Sequence, residues 1–192
     1  MKRAAILLLA CLRLPAQEPP AFAAAMRDIE ARVGGTLGAA GLHLETGRLA
    51  GWRAKERFPL IELAQLPVAL HAFAQMELGE MPFRMMLRCE PGDFSPGHSP
   101  LRERYPQGGV VTIGQLLEAA VRDNDASASD KLLALGGGPA AVQKRMARWF
   151  GDGLRIDRSF ADLAVAIRYA AAPARFLLDE RDSATPEAYA LL

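Results

Sequence analysis

Few side chains in this sequence combine a reactive type with a useful spacing. Asp123 and Asp125 stand two residues apart ahead of a helix start. Such a pair can do acid–base work, or it can cap the helix and face solvent. Glu62 lies near the start of an apolar stretch. A carboxylate there can attack a glycosidic or phosphoryl centre, or it can be a solvated acid favoured by the helix dipole. A hydrolase built on Glu62 and Asp125 would need the two carboxylates to converge in a cleft. His43, His71 and His98 are scattered without ligand spacing, and Cys11 and Cys89 are the only cysteines. Neither a metal site nor a disulfide framework is expected, and no cofactor. Met81, Met85 and Met86 read as core or groove filler. Gly136-Gly137-Gly138 has no strand before it and no Lys-Ser/Thr after it, so it reads as a helix stop and not a phosphate loop.

The elements that must position these groups are those of one domain. The chain has 192 residues, 51% apolar and 23% charged, enough to bury a core. Lys2, Arg3 and Arg13 lie in the first 17 positions, which hold no acid, so the rest of the chain carries a small negative charge. That balance argues against a nucleic-acid partner, which needs a basic face. Residues 1–17 have a basic start, an apolar run from Ala4 to Leu12, then Pro15 and Ala16. This is the layout of a signal peptide, with cleavage after Ala16 or as late as Ala23, and it implies a secreted or periplasmic protein. The run is too short to span a membrane. Leu8-Leu9-Ala10-Cys11 offers lipoprotein processing as an alternative. The domain is then 18–192.

Phe22, Met26, Ile29 and Val33 share one helical face, and Gly34-Gly35 ends that helix. Leu37 to Leu44 and Leu49 to Ala54 read as a β-hairpin turning at Gly47. A helix is expected from about Leu66, with Pro67 at its first position. Residues 81–111 are rich in Pro and Gly and read as loop. Thr112-Ile113-Gly114-Gln115 is a capping box for a helix carrying Ile113, Leu116, Leu117, Ala120 and Val121 on one face. Ser127-Ala128-Ser129-Asp130 reads as the cap of a helix through Leu135, and Pro139 opens another that closes at Gly151. Residues 160–171 and those after Thr185-Pro186 are also expected to be helical. The fold class is α+β, mostly α, with one hairpin.

Several stretches together resemble class A serine β-lactamases. Glu56-Arg57-Phe58-Pro59 is similar to the segment before that family's nucleophile. Asp93 with Ser99-Pro100 is similar to the loop lining its cleft, and Val111 to Val121 to the helix before its second motif. Leu132-Leu133 with Gly137-Gly138-Pro139 resembles the next helix pair. Arg155-Ile156-Asp157-Arg158 and Asp179-Glu180-Arg181-Asp182, with Thr185-Pro186, resemble the two ends of its Ω loop. The blocks keep the family's order from about residue 25 to 192. The resemblance implies a helical lobe plus the first hairpin of an α/β lobe. It assigns structural roles to Asp125, Arg158 and Asp182, the last two as the ion pair closing the Ω loop.

The family's chemistry needs a Ser-x-x-Lys pair, a Ser-Asp-Asn motif, an Ω-loop Glu and a Lys-Thr-Gly strand. By this matching the nucleophile slot holds Glu62 and the lysine slot Gln65. The second motif reads Asn124-Asp125-Ala126, and the base slot holds Phe160. The stretch from Arg158 to Asp182 is longer than the family's loop. No Lys-Thr-Gly strand occurs before the sequence ends, so the last three strands of the sheet are expected to be missing. The resemblance therefore implies a secreted β-lactamase-like protein without catalytic residues or β-lactam hydrolysis. The alternative is a non-catalytic module binding a β-lactam, a peptidoglycan fragment or a protein. A protein partner would take the apolar face that missing strands leave uncovered.

Overall fold

The structure is a computed structural model and describes residues 20–170 and 176–192. The leader expected at 1–17 and Cys11 lie outside those residues. Eight helices are described: α1 Pro20–Val33, α2 Gln65–Glu77, α3 Pro100–Arg104, α4 Ile113–Arg122, α5 Ala126–Leu135, α6 Gly138–Phe150, α7 Phe160–Arg168 and α8 Pro186–Tyr189. Six short strands are β1 Ala39–His43, β2 Arg48–Trp52, β3 Phe58–Pro59, β4 Met86–Cys89, β5 Gly109–Thr112 and β6 Ser183–Ala184. The fold is mostly α. No helix among the described residues is long and apolar enough to cross a membrane.

The core lies where α2, α4, α5 and α6 meet. Val68, Ala69 and Ala72 of α2 face Ile113, Leu116 and Ala120 of α4, Leu132 and Leu133 of α5, and Val142 and Met146 of α6. Ile113, Leu116 and Val142 have no exposed surface. Each such side chain contributes about 1.5–3 kcal/mol on burial. The capping box at Thr112 forms as its spacing predicts. Thr112 Oγ1 accepts from the Gln115 amide at 3.2 Å, and Gln115 Oε1 accepts from the Thr112 amide at 2.8 Å. Val121 departs from the expected face: it is 54% exposed and lines a shallow groove with Phe73 and Phe83.

Three local expectations are corrected. Helix α5 opens two residues earlier than a Ser127 cap would place it; its cap is Asp125, and Ser127 and Ser129 are buried inside it. Helix α2 opens at Gln65, preceded by a 3₁₀ turn over Ile61–Ala64. Pro67 is tolerated there because the first-turn amides have no intrahelical acceptor anyway. The hairpin β1–β2 runs in register from Ala39↔Trp52 to His43↔Arg48, but it is one of three two-stranded sheets. Strand β4 pairs β5 inside the region read as loop, and β3 pairs β6 across more than a hundred residues. Strands this short carry almost no periodic pattern.

Helix α1 buries only Ala23; Phe22, Met26 and Ile29 are half-buried and Val33 is 68% exposed. It is tied to the hairpin by the Glu30–Arg53 ion pair at 2.8 Å, with Arg27 and Arg53 both stacked on the Trp52 ring. Thr112→Ala is expected to cost about 1 kcal/mol, the usual value of a helix N-cap, measured as a shift in urea midpoint without change in slope.

Candidate functional site

Glu62 stands in the 3₁₀ turn ahead of α2, on the protein surface. The preceding residue, Ile61, has φ +45°. A β-branched residue in the left-handed region is strained, and strain of this kind persists only where the surroundings over-determine it. Glu62 Oε2 accepts a hydrogen bond from Asn124 Nδ2 at 2.8 Å. Asn124 is itself left-handed, φ +56°, in the tight connection between α4 and α5. Two of the residues singled out from the sequence therefore touch, although they are 62 positions apart.

Asn124 is placed by its neighbour. Asp125 has no exposed surface. Its carboxylate accepts from the Ala128 amide at 2.8 Å as the N-cap of α5, from Ser99 Oγ at 3.1 Å, and from the Leu101 amide. These bonds fasten Ser99 and the first turn of α3 to α5. They also direct this carboxylate into the protein, whereas Glu62 faces out, so the two acids do not present a shared working face. His98 Nε2 lies 3.1 Å from the Asp123 carbonyl and closes the same corner. Gln65, the first residue of α2, is 4% exposed. Its amide cannot titrate and so cannot take a proton as an amine would.

Phe160 is buried at the first position of α7. Its amide and that of Ala161 donate to the two oxygens of Asp130, at 2.6 and 2.9 Å. Burial pushes the Asp130 carboxyl up to about 6, against the pull of those two amides, with Asp162 adding a little. In the sequence Asp130 reads only as an acid of a helix cap; its position beside Leu132 and Leu133 on a core helix is the signal for its buried role.

The segment that carries α7 is closed at its base. Arg158 Nε and Asp182 Oδ2 form an ion pair at 2.5 Å, and Arg158 Nη1 lies 3.3 Å from Asp179. Asp182 Oδ1 also accepts from the Asp157 and Arg158 amides at 2.7 and 3.0 Å. The Asp182 carbonyl accepts from the Leu60 amide at 2.8 Å. That bond reaches the residue two before Glu62, so the loop base and the site turn share one scaffold. Beside it, Leu37, Phe58, Leu60, Leu63, Pro186 and Tyr189 line an apolar groove of about 470 Å³.

Among the described residues, no lysine nitrogen is hydrogen-bonded to a hydroxyl; Lys131 pairs with Asp93 at 2.6 Å. Among them, too, no three His, Cys, Asp or Glu side chains are grouped to hold a metal ion. Cys89 is buried, and burial pushes its thiol up.

The raised Asp130 carboxyl has a consequence for stability. The folded protein binds more protons than the unfolded chain between the ordinary value of 3.8 and about 6, so this group's contribution falls as pH rises through that window. Asp130→Asn cannot titrate and leaves one α7 amide without its acceptor. In urea unfolding from about pH 4 to about pH 7, the stability difference is expected to move in favour of D130N as pH rises.

The chain matches the family model described as "Beta-lactamase enzyme family" over residues 21–192. An ancestral class A β-lactamase superimposes with TM-score 0.73 at 32% identity, covering 86% of this chain and 60% of that one. A class A β-lactamase of the last common ancestor of Gram-negative bacteria gives 0.74 at 33% identity, covering 86% and 59%. A β-lactamase from Chitinophaga pinensis shares the fold, with TM-score 0.76 at 23% identity, covering 86% and 58%. The chain thus spans about three-fifths of the length of these structures. A match over nearly all its described residues, together with one-third identity to class A structures, means that the chain belongs to the β-lactamase enzyme family.

Proposed function

We propose that this chain is an exported, class A β-lactamase-like protein that does not open β-lactams. The observation that carries the reading is the Glu62–Asn124 hydrogen bond. It pairs the residue in the nucleophile slot with one from the second motif, which supports the matching of positions, and the group in that slot is a carboxylate. A carboxylate attacking an amide would give an anhydride, which offers no favourable acyl-enzyme. Gln65, in the lysine slot, has no basic nitrogen to take a proton. Losing one member of such a unit removes most of its effect, roughly 10⁴- to 10⁶-fold in rate. The strained backbone at Ile61 supports a site geometry kept by the scaffold.

The purified chain is expected to show no nitrocefin turnover and no mass increase after incubation with excess fluorescent penicillin. A covalent adduct on any residue overturns the reading. The apolar groove beside Leu60 and Leu63 favours a second reading, a binding module for a β-lactam or a peptidoglycan fragment. Saturable binding without turnover would establish it, and flat titrations would remove it.

Export rests on the first 17 residues, with their basic start and short apolar run. Expression in a Gram-negative host is expected to place the protein in the periplasmic fraction. N-terminal sequencing is expected to begin at Gln17 or Ala24; a cytoplasmic protein starting at Met1 would refute export.

A further inference from the structure

His71 sits in the middle of α2, 4% exposed, where α2, the α5–α6 turn and α6 meet. Its Nε2 is 2.9 Å from the Gly136 carbonyl, and its Nδ1 is 3.0 Å from Arg145 Nε. A carbonyl can only accept and a guanidinium can only donate. The ring must therefore carry its proton on Nε2 and a free lone pair on Nδ1. Arg145 cannot easily turn away. Its Nη2 donates to Gln75 Oε1 at 3.0 Å, and its guanidinium lies over the Trp149 ring. The ring is confined on its other side as well, since a Cβ at Gly136 would lie 2.8 Å from imidazole Cδ2.

We propose that His71 is an acid-sensitive latch that binds the site-bearing helix α2 to α6 only while its ring is neutral. A second proton would go to Nδ1. That atom would change from acceptor to donor and would point an N–H at the Arg145 N–H, with two cations about 3 Å apart. The bond is not weakened by degrees; its acceptor ceases to exist. The groups facing the ring are Arg145 from α6, the Gly136 carbonyl from the turn, the neutral Gln75 on α2 itself, and Glu80 just beyond α2. Burial, with Arg145, holds the imidazole below its ordinary 6.5, against the Gly136 carbonyl and Glu80, which favour the charged ring. With the folded value depressed, the latch contributes fully above about pH 6.5. Its contribution is lost as pH falls toward the folded value, because the unfolded chain takes up the proton first.

The same helix carries Gln65 at its start and follows directly on the Glu62 turn. Acidification would therefore loosen the C-terminal half of the element whose N-terminal end forms the candidate site.

The test compares the full chain with His71→Gln, which can still accept from Arg145 and donate to Gly136 but cannot be protonated. Below pH 6.5 the folded-to-unfolded ratio of the wild type is expected to fall about tenfold per pH unit relative to H71Q, until the folded ring itself titrates. Taking the ratio between the two proteins cancels the opposing contribution of Asp130. Should H71Q fail to fold, an NMR titration of the His71 ring in the wild type decides the matter. A midpoint below 6.5 that rises toward 6.5 in Arg145→Leu supports the latch. A midpoint at or above 6.5, or one unmoved in R145L, overturns it, as does an equal acid loss in H71Q.

Discussion

The candidate site depends on one buried carboxylate. Asp125 accepts hydrogen bonds from α5, from Ser99 and from the Leu101 amide in the first turn of α3, and it has no exposed surface. An unpaired buried charge would cost several kcal/mol, so these donors are obligatory. Asp125 holds the start of α5 to Ser99 and the first turn of α3, just after a left-handed residue. That residue, Asn124, is then in reach of Glu62. The outward-facing pair stands beside the inward-facing acid.

A second closure works from the other end of the chain. Asp182 joins Arg158 by an ion pair and the amides of Asp157 and Arg158 by hydrogen bonds, while its own carbonyl holds Leu60. Long insertions in a loop add little closure entropy once the base is fixed. The base can therefore stay constant while the segment above it varies. Phe160 shows the result: its side chain is buried in the core and its amide is taken by the Asp130 carboxylate, so α7 is tied to α5 by packing and by a side chain-to-backbone bond.

Much of this was readable in the residues. The Thr112 capping box, the glycines that end α5 and the proline that opens α6 act within one turn of chain, and local chemistry suffices to recognise them. The order of the class A blocks disclosed the fold, but the Glu62–Asn124 contact is visible only in the structure. What escaped was decided by distant partners. The pairing of β3 with β6 and of β4 with β5 depends on tertiary contacts between strands of two and four residues. The sequence points to Ser127 as the cap of α5 because Ser127 and Ser129 are good cap residues locally; the buried Ser99 and Leu101 select Asp125 instead. His71 and Arg145 are 74 positions apart and carry no motif at all.

Ile61 shows where the molecule gives up some of its own firmness. A branched side chain held in a left-handed turn costs of the order of 1–3 kcal/mol, a sizeable fraction of a small protein's net stability. The turn is held on both sides of Ile61: Leu60 is buried in the core and bonded to the Asp182 carbonyl, and Ala64 is buried at the start of α2. A sturdier version of this scaffold would begin there, with a glycine at position 61 that takes the same dihedral without the branched side chain's penalty.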